Sequence, residues 1–273
     1  MAITEGSFVN IKKKPADEDA LDGAVDTEPD VYDVNVVAWD TPVSPLHLAI
    51  LGGHMEVIEA LVSNFGADVL LPVKIVDSYS RNPKHAIMTL ILAAQLADPT
   101  SQDVTKDLLA LGASSAQGDM NQVTAFHYLT AVGKVQLLKA CFDEDGAAAR
   151  TALNHVVLQD FHWASKAASP LTTAIKSGDI SLVDALLDLG ARPVISQGDF
   201  AAAYSIVREN SPYSRNLGDE AIEGEWMKYA EQPIFLAVDS DMVGLSEALF
   251  QTVRRVTTLN VFFDKATSLQ QKY

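Results

Sequence analysis

The stretch Ser44–Val69, SPLHLAILGGHMEVIEALVSNFGADV, decides how the rest of the chain is read. Ser44 is a residue type whose hydroxyl accepts from the free N–H groups at a helix start. Pro45 follows, where a missing N–H costs no hydrogen bond. Apolar residues then recur at helical spacing until Gly52-Gly53-His54, where glycine can take the left-handed backbone that ends a short helix. A second apolar helical pattern runs from Val57 to Val62 and stops at Gly66-Ala67-Asp68. Two short helices joined by a tight turn cannot bury their apolar face alone, so the stretch asks for neighbours of its own kind.

The neighbours are present. Ser44-Pro45-Leu46-His47-Leu48-Ala49 recurs as Thr124-Ala125-Phe126-His127-Tyr128-Leu129, as Ser169-Pro170-Leu171-Thr172-Thr173-Ala174 and as Gln232-Pro233-Ile234-Phe235-Leu236-Ala237. A weaker copy is Met88-Thr89-Leu90-Ile91-Leu92-Ala93-Ala94. Gly133 and Gly178 repeat the inter-helix turn, and Gly112-Ala113-Ser114 and Gly190-Ala191-Arg192 repeat the closing signature.

On these residues the chain resembles the ankyrin repeat family. The resemblance runs from about Trp39 to Phe250, strongest at Ser44 and Ser169. It implies an all-α solenoid of about five to six helix–turn–helix units with projecting finger loops, each of which is a β-hairpin in that family. It also gives structural roles to Pro45, His47, Gly53, His54, His127, Gly133, Pro170, Gly178 and Pro233, with His47 and His127 hydrogen-bonding between repeats. The helix starts near 44, 88, 124, 169 and 232 lie wider apart than the family's unit of ~33 residues, so the array is expected to be divergent and to carry insertions. Residues 39–255 are read as the array, with an insertion at 196–231 in which Phe200–Val207 looks helical. Residues 1–38 form an acidic segment, expected to be a largely flexible leader. Residues 256–273 read as a C-terminal cap or the start of a further segment.

Composition narrows the function. The net charge of −16 argues against nucleic acid and anionic membrane as partners, since both reward stripes of Lys and Arg. It favours a protein or peptide with basic segments. The single cysteine, Cys141, excludes an intramolecular disulfide and points to a reducing intracellular compartment, cytoplasmic or nuclear. The first residues lack the apolar core of a signal peptide, and no apolar run is long enough to span a bilayer.

No catalytic residue is expected. His85, His155 and His162 share no metal-ligand spacing with one another or with a cysteine. Cys141 with His155 as base is the one nucleophile pairing to weigh, but Cys141 sits at a core position of its helix. No glycine-rich phosphate loop or nucleophile elbow occurs, so neither cofactor nor metal is expected.

Binding is expected on two sets of residues. Trp39, Trp163 and Trp226 each fall shortly before a repeat start, in the segment where the resemblance places a finger. They serve either as interface anchors or as packing between fingers. Lys166 lies beside Trp163, and Tyr229 close to Trp226. The second set, Leu51, Val132, Lys176 and Asp239, occupies the ends of the first helices and grades from apolar to polar. The leading expectation is a non-catalytic interaction module, a scaffold or adaptor. The alternative is a regulatory or substrate-recruiting domain of a larger enzyme whose catalytic part lies elsewhere. A third is a small-molecule site within the 196–231 insertion.

Overall fold

The computed structural model describes residues 33–37, 43–76, 83–119, 121–161, 164–210 and 219–239. They are mostly helical. Among the described residues, twelve helices are joined by loops and by two short antiparallel hairpins, so the architecture is not wholly α.

The helices come in pairs. Pro45–Gly52 (α1) pairs with Met55–Ser63 (α2), and Thr89–Ala94 (α3) with Thr100–Ala110 (α4). Ala125–Ala131 (α5) pairs with Val135–Glu144 (α6), which is followed by Gly146–Leu153 (α7). Pro170–Ser177 (α8) pairs with Ile180–Asp188 (α9). Gln197–Asn210 (α10) and Asp219–Tyr229 (α11) then precede Pro233–Asp239 (α12). The hairpin Val73–Val76 (β1) with Pro83–Ile87 (β2) lies ahead of α3, and Val157–Phe161 (β3) with Ala164–Ala168 (β4) lies ahead of α8.

Three of the first helices, α1, α5 and α8, start where they do because the backbone there is capped twice. Ser44 is extended (φ −90°, ψ 169°), and its hydroxyl accepts from the N–H of His47. His47 Nδ1 in return accepts from the N–H of Ser44 at 2.9 Å. The same return bond joins Thr124 to His127 at 3.2 Å and Ser169 to Thr172 Oγ1 at 3.2 Å. Each is a capping box in which His or Thr stands where Glu is usual. At the far end, Gly53 (φ 66°) and Gly178 (φ 76°) close the helices in the left-handed region, which a side chain would strain.

Packing then orders the pairs. α1 touches α3, α3 touches α5, α5 touches α8, and α8 touches α12, so the first helices stand side by side in one row. A second row, α2, α4 and α6, runs behind the early part of it. One continuous core fills the space between, through Leu46, Ile58, Leu108, Phe126, Leu138 and Leu171, each almost fully buried. α1 and α8 bring an apolar stripe that neighbouring helices cover, whereas α3 is buried along its whole length.

A second, smaller core sits beside the row. α10 and α11 pack on each other and on the β3–β4 hairpin around Phe200, Trp226, Val156 and Leu158. α10 and α11 therefore cover a hairpin and do not extend the row. Among the described residues no helix is long and apolar enough to cross a membrane.

Candidate functional site

The face of the first-helix row is a surface built from repeated parts. At its early end Leu48 and Leu51 of α1 stand exposed (43% and 42%). Gln95 and Ala131 continue it, and Val132 at the end of α5 is 47% exposed. Further along, Lys176 and Ser177 of α8 are exposed, and so is Val238 of α12. The surface thus runs from apolar to cationic and back to apolar.

Its cationic part is an ion triad. Lys166 on β4 and Lys176 on α8 both pair with Glu231, in the loop just ahead of α12, with Lys166 Nζ 3.0 Å from the carboxylate. The Glu231 side chain is only 10% exposed, and burial alone would raise its pKa. The hydrogen bonds and charges of the two lysines outweigh burial and hold it below the usual glutamate range. Hairpin, first helix and loop are joined at this point, and two cations share one anion.

Three polar side chains lace the loops behind the row. Asn35 accepts from the N–H of Asp68 at 2.7 Å and donates to the Gly66 carbonyl at 3.4 Å. Asn154 does the same with Arg192 (2.7 Å) and Gly190 (3.3 Å). Gln117 donates to the Leu70 carbonyl at 2.6 Å. The sequence signal was there: Asp33-Val34-Asn35-Val36-Val37 and Leu153-Asn154-His155-Val156-Val157 each set an Asn before an apolar strand-like run.

The family-type histidines divide into two cases. His47 accepts from backbone at Nδ1, so its proton is on Nε2, which donates to the Leu71 carbonyl at 2.7 Å. Thr172 makes the corresponding link to the Glu231 carbonyl at 3.3 Å. His127 Nε2 is buried without a partner, and so is His155 Nε2. The two rings meet edge to face at 6.1 Å. Burial pushes His127 down to about 3, with the nearby His155 charge adding to it. His155 is lowered as well, by burial first, against the pull of Asp199. His54, at the start of α2, is exposed, and a Cβ on Gly52 would lie 2.6 Å from its ring.

The aromatic residues fall differently from their expected loop positions. Trp226 lies on α11, 8% exposed, and its Nε1–H donates to the Ile195 carbonyl at 2.9 Å. Its indole is interior to the second core because α11 turns that face onto the hairpin. Tyr229 is half-buried against the same core, with Lys228 Nζ 4.7 Å from its ring centre. Trp39, Trp163, Ser240 and the side chain of Asp239 lie outside the described residues, as do residues 1–32 and 240–273. Pro45, Pro170 and Pro233 each open their helix, and Gly133 (φ 72°) closes the turn after α5.

Little on this face suits bond-making chemistry. Cys141 is fully buried, and burial raises its thiol to about 11, with Asp145 adding to the rise and a Ser115 hydrogen bond opposing it. A thiol so placed is a packing group at neutral pH. Among the described residues no three His, Cys, Asp or Glu side chains gather as a metal site would require.

Residues 43–73, which hold α1, α2 and the loop after them, match the family model of the ankyrin repeat. No curated protein matches the chain.

Proposed function

We propose that this chain, whose residues 43–73 match the ankyrin repeat model, is a non-catalytic protein-interaction module, an array of about five to six units acting as scaffold or adaptor. The observation that supports this reading is the row α1–α3–α5–α8–α12, in which α1 and α5 carry the exposed apolar residues Leu48, Leu51 and Val132. An extended surface of this kind suits a protein or peptide partner better than an enclosed substrate. The partner lays an apolar segment against the α1 and α5 end, and Lys176 with Lys166 marks the polar limit. The net charge of −16 favours basic segments in that partner. Glu59, Asp103 and Asp107, close enough on α2 and α4 that their charges help burial raise the Asp107 pKa, offer a place for them. Cys141, alone and buried, suits an intracellular setting, cytoplasmic or nuclear.

The test is quantitative capture from lysate with the natural chain and with a Leu51→Glu, Val132→Glu variant. Both positions are exposed, so the variant is expected to keep its circular dichroism spectrum and melting temperature. Loss of a retained protein in the variant supports the reading. An identical set of retained proteins removes the first-helix face as the binding surface.

A further inference from the structure

A cleft of about 370 Å³ opens between the end of α7, the loop after α9 and the early turns of α10. None of its lining residues belongs to a first helix, so it is separate from the interaction face. Its apolar wall is Val156 with Ala203 and Ile206. Its polar side is dominated by Arg150 and Arg192.

The two arginines are held differently. Arg192 grips Asp199 through both of its terminal nitrogens, at 3.1 Å and 3.2 Å, and its NH2 also reaches the Asn154 carbonyl at 3.5 Å. Asp199 is itself fixed, accepting from Ser196 Oγ at 2.6 Å. The Arg192 guanidinium is therefore a pinned, partly neutralised group. Arg150, exposed in the last turn of α7, has no hydrogen-bond or acidic partner among the described residues. Arg192 is paired with Asp199 and Arg150 is not paired, which leaves one positive charge in excess beside an apolar wall. In a chain of net charge −16 such a local excess is unusual. A cleft of this volume lies at the lower end of the range for small-ligand sites.

We propose that this cleft binds a monocarboxylate with a compact apolar body. The carboxylate pairs with Arg150, with the charge of Arg192 on the same side of the cleft, and the apolar body rests on Val156, Ala203 and Ile206. A guanidinium presents paired donors that match a carboxylate's two oxygens, so the class of ligand follows from the residues. A free acid and the last residue of a peptide share this chemistry.

The experiment is calorimetric titration of the full chain with N-acetylleucine, N-acetylleucinamide and a neutral hexapeptide ending in a free leucine carboxylate. Binding of the acid and not of the amide is expected, weakening as salt is raised. Arg150→Gln is expected to weaken it about tenfold, since a charge-assisted pair is lost. The side chain at 150 is unpartnered, so this variant keeps its fold. Ala202→Trp, at an exposed lining position on α10, fills the cleft and abolishes binding. Tighter binding of the hexapeptide than of N-acetylleucine assigns the site to a chain terminus, and equal binding assigns it to a small acid. Equal binding of acid and amide overturns the proposal. So does an unchanged affinity in Arg150→Gln, or no binding of any probe at about 10 mM.

Discussion

In the helix row, three of the pairs are held by parts that recur. Ser44, Thr124 and Ser169 close a cap with the residue three positions on, and His47 and Thr172 tie that cap to the next loop. In the core beside it, nothing recurs. The Ile195 carbonyl accepts from the Trp226 indole at 2.9 Å and from Gln232 Nε2 at 3.0 Å, and the Ile195 N–H donates to Gln232 Oε1 at 2.8 Å. Stability in the row is spread over many similar junctions, whereas in the second core it converges on one residue's backbone. The two regions are therefore expected to fail differently.

The sharpest way to break this contrast is to remove one aromatic ring from each. Phe126, fully buried in the continuous core, is expected to cost ~3–5 kcal/mol when changed to Ala. Because α5 touches α3, α6 and α8, the loss should appear at every amide of the row in hydrogen exchange. Trp226→Ala is expected to cost a similar amount, but only for opening of α10, α11 and the β3–β4 hairpin. Amides of α1–α6 that lose protection equally in Trp226→Ala would show that the two cores unfold as one.

Gln232 separates them more finely. Where the three stronger motif copies begin with Ser or Thr, this weaker one begins with Gln, whose side chain bonds the Ile195 backbone at both ends of its amide. Gln232→Leu keeps the size and removes both bonds. It is expected to cost ~2 kcal/mol, because the buried Ile195 N–H is left unpaired. Urea unfolding followed by circular dichroism would read it, and a change below ~0.5 kcal/mol would mean that α12 is not the tie between the regions.

This residue also marks where legibility in the sequence ends. Caps and turns are local, so Ser44-Pro45, Ser169-Pro170 and the glycines at 53, 133 and 178 carry their signal within a few residues. The exposed face followed from the same register, since positions 51, 132 and 176 come just before the turn. Trp226 could not be placed that way. Its spacing to Gln232 suggested a loop, and the helix that carries it is stabilised by packing on a hairpin distant in sequence. The Asn35 and Asn154 links are likewise long-range pairings, visible in sequence only as a short Asn-apolar pattern. The Arg150–Arg192 cleft needs α7, α9 and α10 brought together and has no local signature.

Within the row, acid should single out one junction. His127 is held at about 3, well below the ordinary 6.5, so the fold favours its neutral ring. The stability this contributes is complete above about pH 6.5 and is lost as pH falls from there towards 3. At pH 5 the loss is about 2 kcal/mol from this ring alone, at 1.36 kcal/mol per pKa unit. His155 lies lower than usual and adds in the same direction. His127→Thr installs the residue type that α8 uses at the same place, and is expected to flatten the dependence between pH 6.5 and 5. A variant as acid-sensitive as the natural chain would move the effect to other groups.

The smallest expected effect belongs to the ion triad, where hairpin, row and the α12 loop meet. Glu231 titrates below the usual glutamate range, so its contribution is present above about pH 4.5 and disappears as pH falls through its lowered folded-state value. The two lysine side chains are 54% and 46% exposed, so water and salt screen much of the attraction. Glu231→Gln is expected to cost ~1 kcal/mol at low salt and less at ~0.15 M, because the exposed partners lose little when separated. Hydrogen exchange at Ala167 and Glu231 is the sensitive readout, since the Glu231 N–H donates to the Ala167 carbonyl at 3.1 Å beside the triad. Faster exchange there, with α1–α4 unchanged, would place the triad as a local clasp between the two regions. A loss well above 1 kcal/mol would instead mean that the hairpin junction helps to hold the row itself.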